Sequence, residues 1–221
     1  MSGLPIVILI SGRGSNMQAI LESAARGDLP VDIRAVISNR ADAAGLAAAS
    51  RAGAPTEVID HREYADRDAY DRALQAAIDR HAPALVVLAG FMRILTPAFV
   101  RHYAGRLINI HPSLLPAYRG LRTHERALAE GATEHGASVH FVTEELDGGP
   151  VIAQAAVPVL PDDAADTLAA RVLAAEHWLY PTVIGWFAAG RLAYRDGGVY
   201  LDGRALRAPC RLDVRGREIV A

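Results

Sequence analysis

Cysteine is nearly absent from this chain, since Cys210 is the only one in 221 residues. A single thiol cannot form an intrachain disulfide, and no second cysteine is present to build a thiolate metal site. His135 and His140 are five residues apart, but no neighbouring carboxylate or cysteine completes a set of metal ligands. We therefore predict no metal, and a reducing compartment, with the cytoplasm as the expected location.

A strong charge of either sign is also missing, because 23 basic residues face 25 acidic ones for a formal charge of −2. The basic residues are scattered rather than clustered, which argues against a nucleic-acid partner. The apolar run Leu4–Ile10 is too short to span a bilayer, and no basic segment precedes it. We interpret this run as a first strand, and we predict no membrane partner.

Apolar residues make up 51% of the chain, which is enough for a sizeable core. Through the first half, β-branched runs alternate with alanine-rich helical stretches, the pattern of a doubly wound, mostly parallel sheet. Beyond Asn109 two extended runs flank the turn at residues 147–150, so the later strands are expected to be partly antiparallel. The predicted class is α/β, with a single domain over residues 1–203 and a loosely held tail over 204–221.

Periodicity and capping residues give the individual elements. The predicted strands are residues 6–10, 33–38, 56–59, 84–89, 107–110, 137–142 and 151–159, followed by a short hairpin at 194–200. The predicted helices are residues 15–26, 42–52, 66–81 and about 163–180.

Asn109 and His111 are two residues apart at the end of a β-rich run, so their side chains leave one face of a strand. An amide and an imidazolium N–H directed at one carbonyl oxygen would stabilise the negative charge that forms when a nucleophile adds to it. Asp147, in the turn L-D-G-G-P, would favour the charged imidazole and fix its orientation. The alternative is an asparagine that caps a turn and a histidine that is satisfied in the core.

The first strand runs into S-G-R-G-S-N at residues 11–16, directly before the first helix. Glycine lets the backbone approach an anion, and the N–H groups of Gly14, Ser15 and Asn16 would point outward at the helix N-terminus. Met17 replaces the third glycine of a dinucleotide fingerprint, and no Lys-Ser/Thr pair follows as in a P-loop. The turn therefore predicts a site for one phosphate. A tight turn without a ligand is the alternative.

A largely apolar loop at residues 89–97, A-G-F-M-R-I-L-T-P, follows the fourth predicted strand. Ligands of doubly wound sheets bind beyond the carboxyl ends of the strands, so this loop, the glycine turn and residues 109–116 are expected to share one cleft. Phe91, Ile94 and Leu95 can wall a slot for a flat ring, while backbone groups of Arg93 and Leu95 can pair with its edge. Ordinary packing under a helix is the alternative.

Taken together, residues 11–16, 89–95, 109–116 and 145–150 resemble the phosphoribosylglycinamide formyltransferases, purine-pathway enzymes of the formyltetrahydrofolate-dependent formyltransferase family. The resemblance covers about residues 5–193. The stretch N-I-H-P-S-L-L-P is shared with other formyltetrahydrofolate enzymes, whereas S-G-R-G-S-N points to the ribosyl-phosphate acceptor. The resemblance implies a formyltransferase domain that acts on two small molecules, 5-phosphoribosylglycinamide and the co-substrate 10-formyltetrahydrofolate.

The same resemblance implies roles for individual residues. Asn109, His111 and Asp147 would be catalytic. The substrate-binding residues would be Gly14, Ser15 and Asn16 at the 5-phosphate and Glu176 at the ribose hydroxyls. The residues that would contact the folate are Arg67, Met92, Arg93, Ile94, Leu95, Asn109, Thr143 and Asp147. The parts played by Arg13, Arg119 and Arg122 stay open.

Two kinds of alternative function remain. The first is another enzyme of the same chemistry: a formyltetrahydrofolate hydrolase, expected to carry an additional N-terminal regulatory domain, or a methionyl-tRNA formyltransferase, expected to carry a basic C-terminal domain. Neither addition is expected in this chain. The second is a non-enzymatic folate- or nucleotide-binding module, against which the joint presence of Asn109, His111 and Asp147 argues.

Other histidines receive structural interpretations. His124 and His140 are candidates to face the cleft. The histidines expected on solvated surfaces are His61, His81, His102 and His135.

Overall fold

The alternation of β-branched and alanine-rich runs folds into parallel βα units in the computed structural model, which describes residues 3–213. The chain clusters into two compact units, one that ends at Asn109 and one that begins at Ile110. The boundary between them lies inside the strand Leu107–His111 and not in a linker. The single domain predicted over residues 1–203 therefore stays a prediction.

In its described residues, the first unit contains five strands and four α-helices. Its strands are β1 (Leu4–Ile10), β2 (Val31–Ser38), β3 (Thr56–Val58), β4 (Leu85–Leu88) and β5 (Leu107–His111), the last of which continues into the second unit. Its helices are α1 (Ser15–Ala25), α2 (Ala44–Arg51), α3 (Arg67–Asp79) and α4 (Pro97–His102).

These five strands are parallel and lie in the order β5-β4-β1-β2-β3. The chain first adds β2 and β3 on one side of β1, and then adds β4 and β5 on its other side. The direction of winding therefore reverses between β1 and β4. In open α/β sheets such a switch point leaves a crevice at the carboxyl ends of the two strands, where ligands bind.

The core of the first unit surrounds β1 and β4. Residues 6–10 of β1 are fully buried, which explains why this strand shows no apolar–polar alternation. Helix α3 buries Tyr70, Leu74, Ala77 and Ile78 completely. The apolar stripe predicted for this helix is confirmed.

The second unit follows a different plan. After β5 it contains α5 (Thr123–Ala129), β6 (Glu134–Phe141), β7 (Val151–Pro158), α6 (Ala165–Ala188), β8 (Leu192–Arg195), β9 (Gly198–Leu201), β10 (Arg204–Ala205) and β11 (Cys210–Leu212). Strands β6 and β7 are antiparallel, β11 is parallel to β7, and β8, β9 and β10 form a small antiparallel sheet. The predicted α/β fold with partly antiparallel later strands is confirmed, as is the hairpin at 194–200.

Helix α6 is longer than predicted, because it continues through Pro181 to Ala188 instead of ending at Tyr180. Proline removes one backbone donor from a helix. Complete burial of Val183 and Ile184 in the following turn compensates for that loss, and the Thr182 hydroxyl donates to the Trp178 carbonyl at 2.8 Å. Within residues 3–213, no helix is both long and apolar enough to cross a membrane.

Residues 204–213 differ from the predicted loosely held tail. In β11, Cys210 and Leu212 are only 4% and 3% exposed, and they lie opposite Ala153 and Ala155 of β7. Alternate side chains of a strand point to one face, so even a three-residue strand can bury two of them. The remainder of the predicted tail, residues 214–221, lies outside the described residues.

Replacing Leu212 by Ala tests whether β11 contributes to stability. Truncating a buried leucine costs about 2–5 kcal/mol, so the Leu212→Ala variant should unfold at a clearly lower urea concentration. The neighbouring Arg211→Ala is the control, because Arg211 is exposed and its ion pair with Glu134 is worth no more than about 1 kcal/mol. Equal midpoints for the two variants would mean that β11 is not part of the folded core.

Candidate active site

The glycine turn between β1 and α1 is shaped by Gly14, whose φ of 68° and ψ of 36° lie in the left-handed region. The first helical hydrogen bond runs from the Gln18 N–H to the Gly14 carbonyl at 2.9 Å. The N–H groups of Ser15, Asn16 and Met17 therefore precede the helical hydrogen-bond ladder, and Gly14 has no side chain to cap them. This is the arrangement that binds anions at a helix N-terminus.

Behind the turn, α2 approaches the backbone closely. The Gly45 N–H donates to the Gly12 carbonyl at 2.9 Å, and the Gln18 amide donates to the Arg13 carbonyl at 3.2 Å. A Cβ at Gly45 would overlap with the end of the Ile10 side chain and crowd that same Gly12 carbonyl, so this position favours glycine. The carbonyls of the turn are thus bound to the protein.

Residues 90–95 form a loop, here called the 90–95 loop, that lies beside the glycine turn. The Ser11 N–H donates to the Gly90 carbonyl at 3.1 Å, and the Met92 N–H donates to the Ser11 hydroxyl at 2.8 Å. Met92 and Ile94 are 70% and 61% exposed. Phe91 is buried, which differs from the prediction that its side chain walls a slot for a flat ring.

Helix α3 and the start of α4 hold the far side of the 90–95 loop. The Thr96 N–H donates to the Asp71 carboxylate at 2.6 Å, and Arg93 lies over the Tyr70 ring, 4.9 Å from its centroid. Burial raises the pKa of the Asp71 carboxyl, against the opposing effect of its hydrogen bonds from Thr96. Arg67 is the exposed first residue of α3.

Asn109 lies opposite Leu88 where β4 and β5 pair, and its side chain is half-buried. The 90–95 loop begins two residues beyond Leu88, so Asn109 lies at the carboxyl edge of the sheet that carries this loop. Strand β5 is continuous from Leu107 to His111. Asn109 and His111 consequently project from the same face of one strand, as predicted.

His111 and Asp147, 36 residues apart in the sequence, lie together in the second unit. His111 Nδ1 is 3.5 Å from Asp147 Oδ2, and the two side chains are 7% and 8% exposed. His111 Nε2 is 2.9 Å from the Tyr118 carbonyl, which can only accept, so Nε2 donates. The Gly120 N–H donates to Asp147 Oδ2 at 2.9 Å. The predicted histidine–carboxylate pair is present, and both ring nitrogens face protein acceptors.

The turn that carries Asp147 is set by close backbone packing. Asp147 has a φ of 49°, and the Gly148 N–H donates to the Glu145 carbonyl at 3.1 Å. A Cβ at Gly149 would overlap with the backbone carbonyl of Phe141 in β6. Gly149 therefore lets the turn fold against β6 and direct the Asp147 carboxylate inward.

His140 lies on the other side of Asp147, with Nε2 3.8 Å from Asp147 Oδ1. Its Nδ1–H donates to the Phe141 carbonyl at 2.9 Å. Burial lowers the pKa of His140, although that carbonyl and Asp147 act in the opposite direction. One carboxylate thus lies between two imidazoles.

His135 differs from the prediction of a solvated surface position, since it is only 1% exposed. Its Nε2 is 3.2 Å from His124 Nδ1, and the two rings meet edge to face. Burial, together with His124 and His111, lowers the pKa of His135 to about 4. Among residues 3–213, no group of three histidine, cysteine or carboxylate side chains is placed to hold a metal ion.

The remaining predicted site residues occupy the second unit. Thr143 is half-buried with its hydroxyl 3.4 Å from the Glu145 carbonyl, and Glu176 is a buried residue of α6. Arg119 pairs with Glu145, and Arg122 lies 4.0 Å from Glu125.

Sequence reasoning assigned no role to Ser11 or to the backbone groups of Tyr118 and Gly120. Tyr118 has a φ of 55°, a conformation that tyrosine rarely adopts and that no residue pattern predicts. For Ser11 the only sequence signal is its place at the first residue of the glycine turn.

Most of the chain is similar to a known protein family. A family model described as formyl transferase matches residues 4–184. The chain belongs to the formyl transferase family. It is 57% identical over 201 residues to the phosphoribosylglycinamide formyltransferase of Escherichia coli K12, covering 91% of this chain and 95% of that protein.

Solved structures give the same family. The phosphoribosylglycinamide formyltransferase of Coxiella burnetii, in complex with CHES, has a TM-score of 0.90 and 58% identity over 92% of this chain and 96% of that one. A formyltetrahydrofolate deformylase from Pseudomonas syringae pv. tomato has a TM-score of 0.82 and 27% identity, covering 90% of this chain and 66% of that one.

Alanine substitutions at Gly148 and Gly149 test the packing of the turn that carries Asp147. Gly149→Ala should lower the free energy of unfolding by about 1–3 kcal/mol or more, because the Phe141 backbone carbonyl has to move. Gly148→Ala meets only the side chain of Glu145, which can rotate away. Thermal unfolding of both variants checks the difference. A Gly149→Ala protein as stable as Gly148→Ala would contradict the packing described for this turn.

Because His135 is buried, we expect the free energy of unfolding to depend on pH. Its folded pKa of about 4 lies below the ordinary value of 6.5, so between these values the unfolded chain binds the extra proton. The free energy of unfolding should therefore fall as the pH falls from about 6.5 towards 4. His135→Gln removes the titrating group and should make this decline shallower, as measured by urea unfolding at several pH values. Parallel declines in the two proteins would argue against a depressed pKa at His135.

Proposed function

We propose that this chain transfers the formyl group of 10-formyltetrahydrofolate to the amine of 5-phosphoribosylglycinamide. The observation that carries the proposal is the buried pair of His111 and Asp147, in which His111 follows Asn109 on the same strand. The identity to the Escherichia coli phosphoribosylglycinamide formyltransferase supports the choice of substrates.

The reaction begins when the neutral amine of the ribonucleotide attacks the formyl carbon. A carbon–nitrogen bond forms, and the electron pair of the carbonyl moves to its oxygen. When the carbonyl re-forms, the bond from carbon to folate N10 breaks, and a proton passes by water from the former amine to N10. No covalent enzyme intermediate is required, because holding the two reactants in place makes the attack effectively intramolecular.

The negative oxygen of the intermediate is the group that the protein has to stabilise. The Asn109 amide donates one hydrogen bond to it, and the protonated His111 ring donates the second. Asp147 accepts from the other ring nitrogen and from the Gly120 N–H, so it orients the imidazolium and balances its charge. The Tyr118 carbonyl accepts the hydrogen bond from His111 Nε2. During the reaction, the substrate oxygen takes the place of this carbonyl as the acceptor.

The two substrates are assigned to separate groups of residues. The N–H groups of Gly14, Ser15 and Asn16 bind the 5-phosphate, and Glu176 accepts from the ribose hydroxyls. The exposed apolar side chains of Met92 and Ile94 cover the folate ring. The other proposed folate contacts are Arg67, Arg93, Leu95, Asn109, Thr143 and Asp147.

Hydrolysis of the same folate is the second candidate, because the Pseudomonas syringae deformylase shares the fold at 27% identity. The two activities differ in the nucleophile that attacks the formyl carbon, an amine in one case and water in the other. Phosphate donors at the N-terminus of α1 favour the ribonucleotide amine, since water needs no phosphate site.

Mixing the purified protein with 10-formyltetrahydrofolate separates these functions. Rapid formation of tetrahydrofolate only when 5-phosphoribosylglycinamide is present would support transfer. Equal rates without the ribonucleotide would identify a hydrolase, and binding without turnover would identify a non-enzymatic module.

Replacing Asn109 by Ala in the same assay tests the proposed oxyanion donor. Removing one such donor typically lowers turnover by about 10²–10³-fold, whereas the affinity for 5-phosphoribosylglycinamide should change little. Steady-state kinetics with each substrate varied in turn provides the measurement. Leu114→Ala, a change in the following segment that removes no proposed oxyanion donor, serves as the control. Turnover of Asn109→Ala close to that of the wild type would refute the assignment.

A further inference from the structure

The pairing between β1 and β4 continues beyond the ends of both strands. Leu9 lies opposite Leu88 at the last paired position, and the Ala89 N–H then donates to the Leu9 carbonyl at 2.9 Å. The next hydrogen bond runs from the Ser11 N–H to the Gly90 carbonyl at 3.1 Å. The sheet ladder therefore extends to the first residue of the glycine turn.

The last hydrogen bond of this ladder is made by a side chain. The Met92 N–H donates to the Ser11 hydroxyl at 2.8 Å, so Ser11 contacts the loop on both sides of Phe91. Ser11 and Phe91 are each only 8% exposed, which protects these bonds from competition with water. Ser11 thus fixes the Gly90 and Met92 peptides at the start of the 90–95 loop.

The other hydrogen bonds described above anchor each segment to a different part of the first unit. The glycine turn is held from behind by Gly45 and by Gln18, and the far end of the 90–95 loop is held by Asp71 through the Thr96 N–H. Among these described contacts, only those of Ser11 join the glycine turn to the 90–95 loop.

We propose that Ser11 is a positioning residue that couples the binding of the two substrates. This inference rests on the proposed function, which assigns the phosphate to the glycine turn and the folate to the 90–95 loop. A phosphate that orders the glycine turn also orders Ser11, and through it the Met92 N–H. The second ligand then meets a loop that is already ordered, so it binds more tightly. By reciprocity, the folate strengthens phosphate binding by the same factor.

Binding of tetrahydrofolate, which has no formyl group to transfer, measures this coupling without turnover. Its affinity is determined by calorimetry with and without saturating 5-phosphoribosylglycinamide. In the wild type the ribonucleotide should tighten tetrahydrofolate binding by at least about fivefold, the lower end of typical couplings. In Ser11→Ala this ratio should approach one, and Ser11→Thr, which keeps the hydroxyl, should restore it.

Two control variants separate coupling from general damage. Ser23→Ala removes another buried serine hydroxyl of the first unit, away from both segments, and should keep the wild-type ratio. Asp71→Ala loosens only the far end of the 90–95 loop, so it should weaken tetrahydrofolate binding in both conditions and leave the ratio unchanged. If Ser11→Ala does not fold, Ser11→Cys provides the comparison, because a thiol is a weak acceptor.

A wild-type ratio of one, or a Ser11→Ala protein that keeps the wild-type ratio, would overturn the proposed coupling. Failure of the proposed function has a different signature, namely the absence of formyl transfer and of ribonucleotide binding in the wild type. Formyl transfer with uncoupled binding would reject the role of Ser11 alone.

Discussion

The Asp147 carboxylate is the constraint on which the candidate active site of the second unit depends. It is almost completely buried, accepts from the Gly120 N–H, and lies between the imidazoles of His111 and His140. A buried carboxylate is costly unless hydrogen bonds and opposite charges surround it. The turn at residues 145–149 and the loop that contains Tyr118 and Gly120 therefore have to fold together around this group.

The first unit presents backbone N–H donors at the carboxyl edge of its parallel sheet. The reversal of winding between β1 and β4 leaves the glycine turn and the 90–95 loop side by side. Ser11 joins them through one backbone and one side-chain hydrogen bond. Through these bonds, a ligand that orders one segment reduces the conformational entropy that the other segment loses when its own ligand binds.

Most of the fold, and the place of Asn109 and His111 on it, could be predicted because they follow periodic patterns. Strand alternation, glycine placement and the N-x-H spacing on β5 are local, so they can be read from the sequence. The contacts of Tyr118 and Gly120 could not be predicted, because a backbone group in an irregular loop leaves no residue signature. Burial of His135 and the continuation of α6 through Pro181 were missed because tertiary packing overrides local preference.

The Tyr118 carbonyl gives the proposed mechanism a source of selectivity for the transition state. His111 Nε2 already donates to this neutral acceptor, so a neutral formyl oxygen gains little by replacing it. An oxyanion is a stronger acceptor for the imidazolium N–H than a neutral carbonyl is, because both partners of that hydrogen bond carry charge. The exchange of acceptors therefore becomes favourable as negative charge develops on the substrate oxygen. Binding energy that appears only at this stage lowers the barrier without tightening the ground-state complex.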